Sequence, residues 1–173
     1  MPHRFRSPAT RTPLLWSLFL AAVISAPLAD AENSTLNFNA DWKFIKADPT
    51  NASAVDFDDF AWSTVSAPHT YNDIDTFNDW SLSNHRGEQN QWSGRTWYRK
   101  HFLVPRAWDG KKVYIEFEGV RQVVEVYLNG RLLGTSKTGF IPFGFDLTPG
   151  LRFGEQNVLA VMCDNRFMRD PAP

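Results

Sequence analysis

The dipeptide Asn129-Gly130 stands between two apolar alternating runs, and it restricts the fold more than any other feature of the chain. A type I′ turn needs positive φ at both of its central residues, and Asn-Gly meets that demand at small steric cost. Before the turn, residues 122–128 place Val124, Val126 and Leu128 on one face. After it comes Arg131-Leu132-Leu133-Gly134, so the segment predicts a tight hairpin. Residues 112–119 alternate as well, with Val113, Ile115 and Phe117 on one face and Tyr114, Glu116 and Glu118 on the other, the period of a half-buried strand. Residues 157–163 are apolar on both faces, Val158, Ala160 and Met162 against Leu159, Val161 and Cys163, which predicts a strand covered on both sides. Further strands are predicted at 42–46, 62–66, 96–104 and 143–147, with breaks at Pro68 and Pro105 and a short helical turn at Thr148-Pro149-Gly150-Leu151. Beyond the first 31 residues no amphipathic helix exceeds two turns. Roughly seven to nine short strands joined by turns point to an all-β sandwich.

The chain has 173 residues, enough for one domain with a real core. Its formal net charge of -1 offers no electrostatic attraction to nucleic acid or to an anionic membrane. Arg4, Arg6 and Arg11 precede an apolar run at 14–24 and the small-x-small triplet Ala29-Asp30-Ala31. Together these predict a secretory signal peptide over 1–31, cleaved after Ala31, with a β-sandwich domain over 32–170. The apolar run is short for a membrane span and ends near Pro27. The mature product is therefore expected to be secreted or periplasmic, with no membrane association after cleavage. Cys163 is the only cysteine, which rules out an intrachain disulfide, and its place in an apolar strand predicts a buried small hydrophobe.

Carboxylates cluster at Asp56, Asp58 and Asp59 and again at Asp73, Asp75 and Asp79. Both sets fall in polar segments without apolar surroundings to raise a pKa, so they are expected to be solvated loop acids or turn caps. His69, His85 and His101 lack metal-ligand spacing, and no nucleophile elbow is present, so no metal, no cofactor and no catalytic residue is assigned. Exposed aromatic rings stack on sugar rings, and Trp80 and Trp92 in the polar segment 72–94 are the candidates for that role. Trp42, Trp62 and Trp97 are expected in the core or at an interface. Asn33-Ser34-Thr35 and Asn51-Ala52-Ser53 are glycosylation sequons.

Three stretches carry a family resemblance: Trp62-Ser63-Thr64-Val65-Ser66-Ala67-Pro68-His69-Thr70-Tyr71-Asn72, Trp97-Tyr98-Arg99-Lys100-His101-Phe102, and a series from Val126-Tyr127-Leu128-Asn129-Gly130 through Gly139-Phe140-Ile141-Pro142-Phe143 to Asp164-Asn165. In order and spacing they resemble the N-terminal jelly-roll domain of family-two glycoside hydrolases, the group of β-galactosidases, β-glucuronidases and β-mannosidases. The resemblance implies a jelly-roll β-sandwich of the galactose-binding-domain-like kind. It places catalysis in a downstream β/α barrel, not contained in these residues, whose two glutamates act as acid/base and nucleophile. It implies that the domain supports and edges that barrel, its partner, in the carbohydrate metabolism of a β-galactosidase-like enzyme. Asn72, Asp164 and Asn165 are the positions it places at the edge of the sugar site. The alternatives are a free-standing carbohydrate-binding module and a structural interaction domain.

Overall fold

The computed structural model describes residues 34–71 and 93–166. The chain divides into a unit of Met1–Thr35 and a unit of Leu36–Pro173, and every element below belongs to the second. Its strands are β1 (Trp42–Ile45), β2 (Ser63–Val65), β3 (Arg95–Leu103), β4 (Tyr114–Phe117), β5 (Val123–Leu128), β6 (Arg131–Ser136), β7 (Phe143–Asp146) and β8 (Gln156–Asp164). They form an antiparallel six-stranded sheet in the order β2-β1-β3-β8-β5-β6 and a two-stranded sheet of β4 and β7, the β-sandwich expected from the sequence. Short 3-10 turns occur at Arg106–Trp108 and, as predicted, at Thr148–Gly150.

Period-two alternation sorts the side chains between two cores. Leu159, Val161 and Cys163 of β8 join Val124, Val126 and Leu128 of β5 on the inner face, where Ile115, Phe117, Phe143 and Phe145 of the small sheet cover them. Ala160 and Met162 of β8 face the other way, with Trp97 of β3, Trp62 and Ala52. The strand predicted to be covered on both faces is thus β8, fourth from the β2 edge and third from the β6 edge, with β3 and β5 as its neighbours. Full burial of Leu128 and Leu159 contributes about 1.5–3 kcal/mol each relative to exposure.

The predicted hairpin joins β5 to β6. Asn129 has φ 51° and Gly130 φ 82°, and Leu128 pairs with Arg131 across the turn. The Asn129 side chain does more than permit the turn. Its Oδ1 accepts from Val158 N at 3.0 Å, and its Nδ2 donates to Gly150 O at 2.9 Å and to Asn157 Oδ1 at 2.8 Å. Asn157 is fully buried and fully paired: Nδ2 donates to Arg152 O and Glu155 O, and Oδ1 also accepts from Arg152 N. Two amides thereby pin the hairpin tip, the 3-10 turn and the start of β8 to one another.

The segment between β1 and β2 departs from expectation. Asp56 and Asp58 are exposed, and Asp58 Oδ1 accepts from Phe60 N as a turn cap. Asp59 is buried, not solvated. The segment folds over the outer face of the large sheet as a strap, because Arg99 of β3 draws it in. Arg99 is 0% exposed and donates to Asp59 Oδ2 at 2.7 Å, Ala52 O at 2.5 Å, Ala54 O at 2.8 Å and Phe57 O at 3.4 Å. His101 Nε2 lies 2.8 Å from the same Asp59 oxygen. Burial pushes the Asp59 carboxyl upward, but the hydrogen bonds of Arg99 and His101 outweigh it and hold the group below its ordinary value. Fork-shaped donation by guanidinium satisfies a carboxylate and several carbonyls at once, which a loop lying on a sheet otherwise leaves unpaired.

Candidate functional site

One end of the sandwich collects the sequence-predicted positions that can be described. There β3 begins, β8 ends and β5 begins, since Asp164 pairs with both Arg95 and Val123. Asp164 and Asn165 lie side by side at this end. Asn72, Trp80 and Trp92 fall outside the described residues, between Tyr71 and Ser93.

The Asp164 side chain is only 2% exposed. Its Oδ1 accepts from the backbone N of Arg166 at 3.0 Å and from Arg166 Nε at 2.9 Å, and its Oδ2 accepts from Arg166 Nη2 at 2.5 Å and Arg95 Nε at 3.4 Å. The Arg166 hydrogen bond is the main reason this carboxyl sits below its ordinary value despite burial. Arg95 extends the chain of charges to Asp48 Oδ2 at 3.2 Å, and Asp48 Oδ1 in turn accepts from Trp97 Nε1 at 2.8 Å. Asp164 therefore fixes the exit of β8 within an alternating row of acids and bases. Asn165 closes the same exit from the other side: Gly94 N donates to its Oδ1 at 2.8 Å, and its own N donates to Gly94 O at 3.2 Å. The pair thus clamps the entry to β3, which follows residues 72–92, to the end of β8.

Aromatic groups line the inner side of this end. Tyr71 stacks on Phe44 with ring centroids 5.7 Å apart, and Phe44 also packs on His69 at 4.7 Å and Tyr98 at 4.8 Å. His69 Nδ1 and Tyr98 Oη are 2.9 Å apart. Burial lowers the His69 pKa, and burial raises those of Tyr71 and Tyr98, so this cluster is held neutral. On the adjoining loop, Arg121 lies 5.9 Å from the Phe140 ring, and Phe140 and Ile141 are 78% and 61% exposed. Sequence reasoning found Asp164 and Asn165 but not Asp48, Arg95, Arg121 or Arg166. Arg95 is brought there by the register of β3 on β8, Arg166 follows Asp164 by two residues, and Asp48 and Arg121 come from the connecting segments.

Residues 35–170 match the family model described as Glycosyl hydrolases family 2, sugar binding domain. A β-glucuronidase of Formosa agariphila is 56% identical over 138 residues, which are 80% of this chain and 14% of that protein. A β-galactosidase of Thermoanaerobacter pseudethanolicus is 40% identical over 80% of this chain and 18% of its own length. Among solved structures, a family-2 β-glucuronidase superimposes with a TM-score of 0.72 at 57% identity, covering 78% of this chain and 14% of that one. Bacteroides uniformis β-glucuronidase 2 gives a TM-score of 0.66 at 28% identity, over 76% of this chain and 15% of that one. The chain spans less than a fifth of the length of each of these relatives, in their N-terminal part. With the sandwich, the clamped Asp164–Asn165 end and this match in hand, the chain belongs to glycosyl hydrolase family 2, as its N-terminal sugar-binding domain.

Proposed function

We propose that this domain supports and edges the catalytic barrel of an exported β-glycosidase that acts on β-glucuronides or β-galactosides. The observation that carries the reading is the clamp at the Asp164–Asn165 end. It ties Gly94, ahead of β3, to Asn165 and Arg166 at the exit of β8 within one hydrogen-bonded unit. The exposed Phe140 and Ile141 beside it supply apolar area of the kind a partner domain covers. In this reading Asn72, Trp80 and Trp92 contact the sugar, and Asp164 and Asn165 stand at the edge of its site. The 56% identical β-glucuronidase favours a uronic acid as the terminal sugar. Residues 1–31 direct export, with cleavage after Ala31.

The experiment is a complementation. The Formosa agariphila β-glucuronidase is expressed without its own N-terminal domain, alone and together with this chain, and hydrolysis of p-nitrophenyl β-D-glucuronide and β-D-galactoside is followed. Restored turnover and co-elution are expected. An inactive mixture whose components elute apart would refute the supporting role. N-terminal sequencing of the exported product checks the cleavage site.

A further inference from the structure

We propose that the outward face of the β4–β7 sheet is a second glycan-contact surface, which seats the flat face of a neutral β-linked oligosaccharide against Tyr114. It lies on the other sheet from the Asp164–Asn165 clamp and shares no residue with it.

The strand period places Tyr114 and Glu116 on the same side of β4, opposite the buried Ile115, and Lys112 precedes the strand by two residues. Across the ladder Tyr114 pairs with Asp146 and Glu116 pairs with Gly144, with Pro142 two residues further along. Tyr114 is 65% exposed, so the sheet presents a tyrosine ring that the inner core does not use. Gly144 leaves the floor beside it flat: a Cβ at this position would approach Ile115 O to 2.7 Å, closer than the backbone allows. The result is an open depression of about 360 Å³ whose lining includes Tyr114, Glu116, Pro142 and Gly144. That is the lower part of the size range of small-molecule sites, about 300–1,000 Å³.

The chemistry of the rim selects the ligand. An aromatic ring and a proline offer apolar area to the C–H face of a pyranose. Glu116 accepts hydrogen bonds from hydroxyls, and the exposed pair of Lys112 Nζ and Asp146 Oδ2, 3.2 Å apart, offers both a donor and an acceptor at the other end of the strip. Two carboxylates against one ammonium leave this face net negative. A uronic acid or a phosphate is repelled there, and a neutral hexose or pentose is not. The ligand is therefore not the charged sugar that the β-glucuronidase relatives' names suggest for the catalytic site, and this surface serves to hold a neutral chain to which such a sugar is attached.

The test uses the 173-residue chain itself. Xylotetraose, cellotetraose and β-1,4-galactotetraose are titrated against it by calorimetry and by NMR, with an anionic uronic-acid tetramer for comparison. At least one neutral tetramer is expected to bind, with the uronic-acid tetramer at least about tenfold weaker. Tyr114→Ala is expected to weaken the neutral ligand about tenfold or more with an unchanged melting midpoint, and Glu116→Ala to weaken it severalfold. Absence of binding by every neutral tetramer, or wild-type affinity in Tyr114→Ala, overturns the proposal. Equal binding of the uronic-acid tetramer overturns the assignment of a neutral ligand.

Discussion

Replacing Arg99 by methionine should detach the strap from the large sheet. Methionine keeps much of the volume of the stem but none of the donors. Four contacts vanish: those to Asp59 Oδ2 and to the carbonyls of Ala52, Ala54 and Phe57. Asp59 keeps only His101 as a partner, and His101 has 44% of its side chain exposed. Removing one member of a buried ion pair costs about 3–5 kcal/mol, because the other charge stays behind uncompensated. The two short-bonded carbonyls, Ala52 O and Ala54 O, add about 1–3 kcal/mol each if they stay dry. Water entering beside the half-exposed His101 relieves part of this, so the expected total is about 4 kcal/mol. In a domain of this size that lowers the melting midpoint by roughly 12–20 °C, at roughly 3–5 °C per kcal/mol. Urea unfolding followed by tryptophan fluorescence reports on it, since Trp62 and Trp97 belong to the same outer core as the strap. Adding Asp59→Asn to Arg99→Met removes the stranded charge and should restore about 1–3 kcal/mol relative to additivity. A stability within about 1 kcal/mol of the parent for Arg99→Met would show that the guanidinium does not hold the strap.

Stability should fall in two steps on acidification, read as melting midpoint against pH. His69 has a lowered pKa through burial, so its contribution is lost as pH falls below its ordinary value of 6.5, and His69→Gln should remove this step. Asp59 and Asp164 are held below their ordinary 3.8, so their contribution is full above that pH and is lost as pH falls through the lower folded-state values; Asp164→Asn should shrink the second step. Asn157→Leu should cost about 2–4 kcal/mol in chemical denaturation, because Asn129 Nδ2 and the Arg152 and Glu155 carbonyls lose a partner at once; a loss under about 1 kcal/mol would mean that water replaces the amide. Cys163 is buried, and burial pushes its thiol up to about 12, so a thiol reagent should label the chain only after urea unfolding; labelling of the native chain at neutral pH would contradict the packing.

Local periodicity made much of this fold legible. The Asn129-Gly130 turn, the one-sided run of Val124, Val126 and Leu128, and the two-sided β8 follow from spacing alone, because turn geometry and the pleat act over a few residues. What spacing could not show is which groups meet after the strands assemble. Asp59 read as a solvated loop acid because its partners lie 40 and 42 residues away on β3. The links of Arg95 to Asp48 and to Asp164 span 47 and 69 residues and are equally non-local, whereas Arg166 reaches Asp164 from two residues away. The positions Asp164 and Asn165 were found through family resemblance, and the clamp they form with Gly94 and Arg166 became visible only with the register of β3 on β8.

The last strand in sequence sits inside the sheet, between β3 and β5. Until it arrives, β2-β1-β3 and β5-β6 are separate half-sheets, each with an open edge awaiting the same strand. A ribosome that has delivered residues up to 155 has therefore produced most of the domain's mass and no continuous large sheet. Folding of this domain is thus tied to completion of its synthesis. The many long-range pairings, such as Arg95 with Asp164, make closure slow compared with local helix or hairpin formation. A nascent chain held in this waiting state exposes two open strand edges until β8 arrives.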